Sequence, residues 1–222
     1  MEGLALSPRG RLSLGEGAVL LAEAAAPFAS ALLEAIGAIS AAAPFRRFST
    51  PGGRRMAVEM TNCGALGWIS DAKGYRYSTH DPQSGRPWPA MPRLFAALAA
   101  AAAEAAGFPA FLPDACLINR YGAGIGLSPH QDRDEADLSA PIVSVSLGLS
   151  ATFLWGGPER RAPLRRLPLA HGDIVVWGGP ARLFFHGIAP LRPGQHPLTG
   201  SFRYNLTFRR AGPADPPSEA GI

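Results

Sequence analysis

The feature that most constrains this chain is a series of short β-rich runs crowded into its second half. After Pro113 come Ala115–Tyr121, Pro141–Leu149, Thr152–Trp155, Leu164–Leu169, Asp173–Trp177, Leu183–His186 and Leu198–Arg209, separated by Gly, Pro and charged turns. Strands this short and this close must pair with one another, which predicts a sandwich or barrel. Two helices precede them. One spans Pro27 to about Ala43, where Phe28, Leu32, Leu33, Ile36 and Ile39 recur at helical spacing. The other spans Pro92 to Ala106 and is capped by Gly107. The stretch up to about Gly17 reads as irregular, and Phe45–Pro92 as turns and hairpins. With 222 residues, 47% of them hydrophobic, the chain has apolar material for one sizeable core. The expected class is α+β.

Several classes are excluded. A disordered chain would be poorer in hydrophobics and richer in net charge. A disulfide scaffold would need more than Cys63 and Cys116. No apolar run reaches the roughly 18 residues needed to span a bilayer, and Met1–Gly17 has no signal-peptide pattern. The expectation is a soluble, cytoplasmic protein without a membrane partner.

Charge adds a local signal. The net charge is +4, and the stretch from Phe45 to His80 carries six Arg or Lys against two acids, which equals that excess. Aromatics are interleaved with these cations: Phe45, Phe48, Trp68, Tyr75 and Tyr77. Cations attract phosphate and flat rings stack on bases, the combination that holds single strands and extruded bases. A solvated basic face with ordinary packing aromatics would read the same way.

His130 and Asp132 stand two apart, so in extended chain both face one side. His186 follows in Leu183-Phe184-Phe185-His186-Gly187. Two imidazoles and one carboxylate on one face of a metal leave positions open, as in ferrous oxygenases that take up oxygen and an organic co-substrate. Taken alone, a His-x-Asp pair is equally a loop hydrogen bond. The last strand sharpens the reading. Arg203, Asn205, Thr207 and Arg209 share one face, and Tyr204, Leu206 and Phe208 the other. Guanidiniums inside a barrel need an anion, and their planar fork suits a dicarboxylate. Asn119 and Tyr121 share a face in the same way. The alternative for the arginines is a charged surface edge strand.

At this point the sequence resembles the AlkB family of Fe(II)/2-oxoglutarate-dependent alkylation-repair dioxygenases, in particular its bacterial prototype group. The carriers lie between about Pro44 and Gly212. They include M-T-N-C-G-A-L-G-W, D-P-Q-S-G-R-P-W-P-A-M-P, P-D-A-C-L-I-N-R-Y, H-Q-D-R-D-E, H-G-D-I-V-V-W-G-G, L-F-F-H-G-I and R-Y-N-L-T-F-R. The resemblance implies a double-stranded β-helix (jelly-roll) core with two supporting helices under a nucleotide-recognition lid. It covers the lid (45–92) and the core (93–212) and says nothing of the N-terminal segment (1–44), while the composition of the tail (213–222) predicts disorder, one structural domain in all.

It also implies that His130, Asp132 and His186 ligate Fe(II), with 2-oxoglutarate and O2 as co-substrates. Arg203 would pair with the C5 carboxylate, Arg209 with Asn119 and Tyr121 would hold the C1 end, and Asn205 would assist. Trp68 would lie against the methylated base, Tyr75 near the nucleotide backbone, Asp134 on the base and Arg160 on the substrate side. The implied activity is oxidative demethylation of bases such as 1-methyladenine and 3-methylcytosine in single- or double-stranded DNA or in RNA, by a monomer, with release of formaldehyde.

Two other readings stand beside it: a 2-oxoglutarate oxygenase acting on a protein or small molecule, and a single-strand binder with a degenerate site. His80, His171 and His196 read as structural, Cys63 and Cys116 as buried thiols, Trp155 and Trp177 as core, and Trp88 as a brace for the lid.

Overall fold

The computed structural model describes residues 4–213. A hairpin opens the chain: β1 (Gly10–Gly15) turns at Glu16-Gly17 into β2 (Ala18–Ala22). A 3-10 turn (Ala26–Phe28) leads into α1 (Ala29–Ala42), and α2 spans Arg93–Ala105. Between the helices lie β3 (Glu59–Gly64), β4 (Gly67–Asp71) and β5 (Gly74–Ser78). After α2 come β6 (Ala115–Tyr121), β7 (Leu127–His130), β8 (Ile142–Gly148), β9 (Ala151–Trp155) and β10 (Arg165–Leu169). The chain then forms β11 (Ile174–Trp177), β12 (His186–Ile188) and β13 (Arg203–Arg209).

The strands form two facing sheets and one separate hairpin. The major sheet runs β1-β2-β11-β8-β13-β6-β3 and the minor sheet β10-β9-β12-β7, while β4 and β5 pair only with each other. All the strand pairings are antiparallel. This is the expected jelly roll.

Two apolar layers hold it. Leu32, Ile36 and Ile39 of α1 and Phe95, Leu98 and Ala102 of α2 cover one face of the major sheet, meeting Ile118, Val145, Ile174, Leu206 and Phe208. On the other face Leu117, Tyr121, Ile142, Val175 and Trp177 meet Phe153, Trp155, Leu169 and Ile188. Alternation along each strand sorts the side chains between the layers. On β13 it sends Leu206 and Phe208 to the helices, and Arg203, Asn205, Thr207 and Arg209 into the space between the sheets. All seven of its residues are buried except Tyr204, which is half-buried. β13 is therefore a central strand, not a charged edge.

Three expectations need correction. The segment before Gly17 is not irregular throughout, because β1 and β2 extend the major sheet and β2 pairs directly with β11. The boundary at 45–92 does not follow the architecture either. β3 is an edge strand of the major sheet, and the part with its own pairing is the β4–β5 hairpin. The strand placed at Leu183–His186 starts only at His186, after a 3-10 turn at Gly179–Ala181. The expected tail, past Pro213, lies outside the described residues. Among the described residues, no helix is long and apolar enough to cross a membrane.

Candidate active site

β7 ends at His130, and β12 begins at His186. The two are direct partners across the minor sheet. Their closeness requires Gly187, since a Cβ there would lie 2.5 Å from the Leu127 carbonyl oxygen. The ring centroids are 4.6 Å apart. Asp132, two residues past β7, brings one carboxylate oxygen to 3.6 Å from His130 Nε2 and the other to 3.6 Å from His186 Nε2. The ligand atoms of all three lie within 4.8 Å of one another.

Each imidazole is also oriented. His130 Nδ1 lies 3.0 Å from the Ser128 carbonyl oxygen, and His186 Nδ1 lies 3.0 Å from that of Phe184. A carbonyl can only accept, so Nδ1 carries the proton and Nε2 keeps its lone pair toward the common point. Desolvation, with His186 beside it, pushes His130 down to about 4, which keeps that lone pair free at neutral pH. Burial alone would raise Asp132, but the Arg209 guanidinium outweighs it and holds the carboxyl well below its usual range. Two imidazoles and a carboxylate, with open positions around them, fit a ferrous ion.

The polar face of β13 lies beside this point, and its two arginines differ. Arg209 donates to Asp132 Oδ2 at 2.8 Å from Nη2 and 3.3 Å from Nε, and its Nε lies 3.2 Å from Glu135. Arg203 is 1% exposed and gives one hydrogen bond, Nη2 to Ser146 Oγ at 2.9 Å. Its Nε and Nη1 are buried without a partner. A buried guanidinium left open is costly unless an anion completes it. Arg203 thus fits one carboxylate of 2-oxoglutarate.

Tyr121 is the cross-strand partner of Arg203, and its ring centroid lies 5.3 Å from the Arg203 guanidinium carbon. The cross-strand partner of Arg209 on β6 is Ala115. Burial pushes the Tyr121 phenol up to about 12. Asn119 and Asn205 face each other across β6 and β13, with Asn119 donating to Asn205 at 3.3 Å. The Asn205 amide is saturated inside the protein. It donates to Ser144 and to the Val145 carbonyl, and it accepts from Thr207. Asn119 keeps a buried, unpartnered carbonyl oxygen.

The β4–β5 hairpin supplies the remaining wall. Trp68 and Tyr75 stack with ring centroids 5.6 Å apart and planes 15° from parallel. Trp68 Nε1 donates to Asp134 at 2.9 Å, which joins the hairpin to the metal loop. Trp88 braces the hairpin from behind, donating to the Ser78 carbonyl at 3.0 Å. The Arg160 guanidinium lies over Phe185 at 5.8 Å. One cavity of about 580 Å³ touches Trp68, Tyr75, Asp134 and Arg160 together with the triad, Asn119, Tyr121, Asn205 and Arg209. Exposed Arg54 and Arg55 stand on its rim.

Sequence reasoning assigned no role to several residues here. Trp177 is buried as expected, yet it also lines the cavity, with its ring centroid 4.8 Å from that of His186. Arg182, 4% exposed, donates to the Asp132 carbonyl at 2.6 Å and to Glu135 at 3.0 Å. Tyr77 donates to Glu135 at 2.6 Å. Glu135 lay within the H-Q-D-R-D-E motif but carried no separate signal. Only the fold brings its partners to it.

Comparison with known proteins agrees with this geometry. Residues 17–209 match the model of the 2OG-Fe(II) oxygenase superfamily. The chain is 58% identical over 198 residues to the alpha-ketoglutarate-dependent dioxygenase AlkB of Salmonella typhimurium, covering 89% of this chain and 92% of that one. It is 59% identical over 199 residues to the protein of the same name from Escherichia coli, covering 90% and 92%. The solved structure of OsALKBH1 superposes with a TM-score of 0.76 at 29% identity, over 89% of this chain and 100% of that one.

Proposed function

This chain belongs to the AlkB family within the 2OG-Fe(II) oxygenase superfamily, and from that premise we propose that it oxidatively demethylates alkylated bases in nucleic acid. The lesions are of the 1-methyladenine and 3-methylcytosine type, in single- or double-stranded DNA or in RNA, and the biological role is repair of alkylation damage. The observation that carries the reading is one cavity in which a candidate metal triad and a stacked aromatic pair come together, with the unsatisfied Arg203 guanidinium outside its lining but against Tyr121, one of the lining residues.

When bound, Fe(II) with 2-oxoglutarate and O2 supplies the oxidation that converts an N-methyl to a hydroxymethyl, which leaves as formaldehyde. The protein's own groups do the rest. His130, Asp132 and His186 hold the metal. Arg203, beside Tyr121, takes the far carboxylate of 2-oxoglutarate, and Arg209 with Asn119 lies toward the near end. Asn205 acts by fixing Asn119. Burial between the sheets excludes water from this region, which strengthens each of these polar contacts.

The base must leave its stack to reach the metal. Methylation at N1 of adenine or N3 of cytosine weakens pairing and leaves the base cationic. The Trp68 face suits a cationic ring, Tyr75 lies toward the nucleotide backbone, and the Asp134 carboxylate is the counter-ion. The Trp68 indole occupies one Asp134 oxygen and leaves the other to meet the base. Arg160 and the rim cations Arg54 and Arg55 attract phosphate. The two free thiols Cys63 and Cys116, partners across β3 and β6, suit a reducing cytoplasm.

The test is succinate formation with a panel of substrates. The expected result is stimulation by a methylated oligonucleotide, with a mass loss of one methylene from the base, and none by peptides or small acids. Stimulation by a peptide alone would move the assignment to the other class of substrate. In His130→Ala, turnover is lost while oligonucleotide binding remains.

A further inference from the structure

Behind the metal loop lies a closed polar cluster whose centre the reaction outlined above does not use. Its centre is Glu135, 7% exposed. One carboxylate oxygen accepts from Tyr77 at 2.6 Å and lies 3.2 Å from Arg209 Nε, and the other accepts from Arg182 at 3.0 Å. Arg209 and Arg182 both continue to Asp132, the first to its side chain and the second to its carbonyl. Two buried arginines are thus balanced by two buried carboxylates. Tyr77 belongs to the β4–β5 hairpin, where it is the cross-strand partner of Trp68. Every other member belongs to the core.

We infer that Glu135 is a positioning residue that neutralises Arg209, so that the Asp132 carboxylate stays available to the metal, and that Tyr77 makes this arrangement sensitive to the seating of the base-binding hairpin. The inference rests on the reading of His130, Asp132 and His186 as the metal site. Arg209 alone beside Asp132 would compete with an incoming cation for the same oxygen. Glu135 splits the attention of that guanidinium and removes the excess positive charge. The charge argument also gives opposite signs for two ligands. Loss of the Glu135 charge disfavours a divalent cation and does not disfavour a dianion. A loop that had merely become disordered would weaken both.

The experiment uses the metal-free full chain and Mn(II), followed by electron paramagnetic resonance, with 2-oxoglutarate affinity measured at saturating Mn(II). Glu135→Gln keeps the size of the side chain and one accepting oxygen, and replaces the other by an uncharged donor. It should weaken Mn(II) by roughly 10- to 100-fold, the range for partners that orient metal ligands, while 2-oxoglutarate affinity holds or rises. Unchanged Mn(II) affinity, or equal losses for both ligands, would overturn the inference.

Tyr77→Phe tests the link to the hairpin and does not depend on Glu135→Gln folding. In the wild type, a methylated oligonucleotide seats the hairpin and should tighten Mn(II) by roughly fivefold, with the reciprocal effect that linkage requires. In Tyr77→Phe that effect should disappear while oligonucleotide binding persists. Its retention would overturn the link. Failure of the wild type to take up Mn(II) would instead strike the metal reading itself, so the two failures are distinguishable.

Discussion

The two ends of β13 carry the same side chain in opposite states. At one end Arg209 is surrounded by Asp132 and Glu135, and these acids outweigh its burial and raise its pKa. At the other end Arg203 is buried at least as deeply and, among the described residues, pairs with no carboxylate and has only a serine hydroxyl on one of its nitrogens. Burial pulls its pKa below the ordinary value, and Tyr121 offsets that only in part. The strand is one continuous partner of both β6 and β8, so the contrast is not one of local order. It comes from what faces each guanidinium. Arg209 is part of the folded charge balance, and Arg203 keeps open donors that the proposed 2-oxoglutarate contact would fill. A buried cation in a finished ion pair and one awaiting a ligand look alike in sequence but differ in what their removal does.

The largest expected effect tests the first half of this contrast. Arg209→Ala leaves Asp132 and Glu135 buried with only Arg182 as a counter-charge, and breaking a buried pair in this way costs about 3–5 kcal/mol. Urea unfolding of the metal-free protein measures it. A cost no greater than that of the matching change at Arg203 would dissolve the distinction. The next effect tests the second half. Arg203→Met fills similar space without charge, so the metal-free protein should unfold within about 1 kcal/mol of the wild type, or later than it. Affinity for 2-oxoglutarate should instead fall by about 3 kcal/mol, roughly a hundredfold, as charge-assisted hydrogen bonds are lost. A variant that lost stability but kept its 2-oxoglutarate affinity would reverse the roles of the two ends.

Much of this was legible beforehand because period-two alternation survives wherever a strand has one polar and one apolar face. β13 and β6 have that pattern, so the residues of the polar face could be named in advance. β1 has no such pattern. It is an exposed edge strand with only Leu14 buried, and the signal that would have found it is the Gly15-Glu16-Gly17 turn before the apolar run of β2. β7 contains Pro129, which argues against a strand, yet β7 lies at the edge of the minor sheet, where a missing donor is tolerated. The triad was readable from residue type and spacing. Arg182, Glu135 and Tyr77 were not, because a buried charge is defined by partners far along the chain, 58 residues apart for Tyr77 and Glu135. That Tyr121 stands beside Arg203 was not legible for a related reason. Alternation gives the face of a strand, but only register gives the neighbour.

The smallest expected effect concerns what supports the open end. Gly148 pairs with Arg203 across β8 and β13, and its N–H donates to His171 Nδ1 at 2.9 Å. His171 stacks on His196 with ring centroids 4.5 Å apart. Desolvation, then the neighbouring His196, lowers the His171 pKa, against the opposing pull of Asp173 and Glu23. The folded protein therefore takes up this proton less readily than the unfolded chain does, so this contribution to stability is present above the ordinary histidine value of about 6.5 and declines as the pH falls below it. A proton on Nδ1 would also remove the acceptor that Gly148 uses. Unfolding midpoints of the metal-free protein at about pH 7.5 and about pH 5.5 should move less in His171→Gln than in the wild type. Other groups titrate across that interval in both proteins and cancel in the difference. An identical shift in the two would mean that the histidine pair does not support the Arg203 end of the strand, and that β8 alone fixes where that guanidinium points.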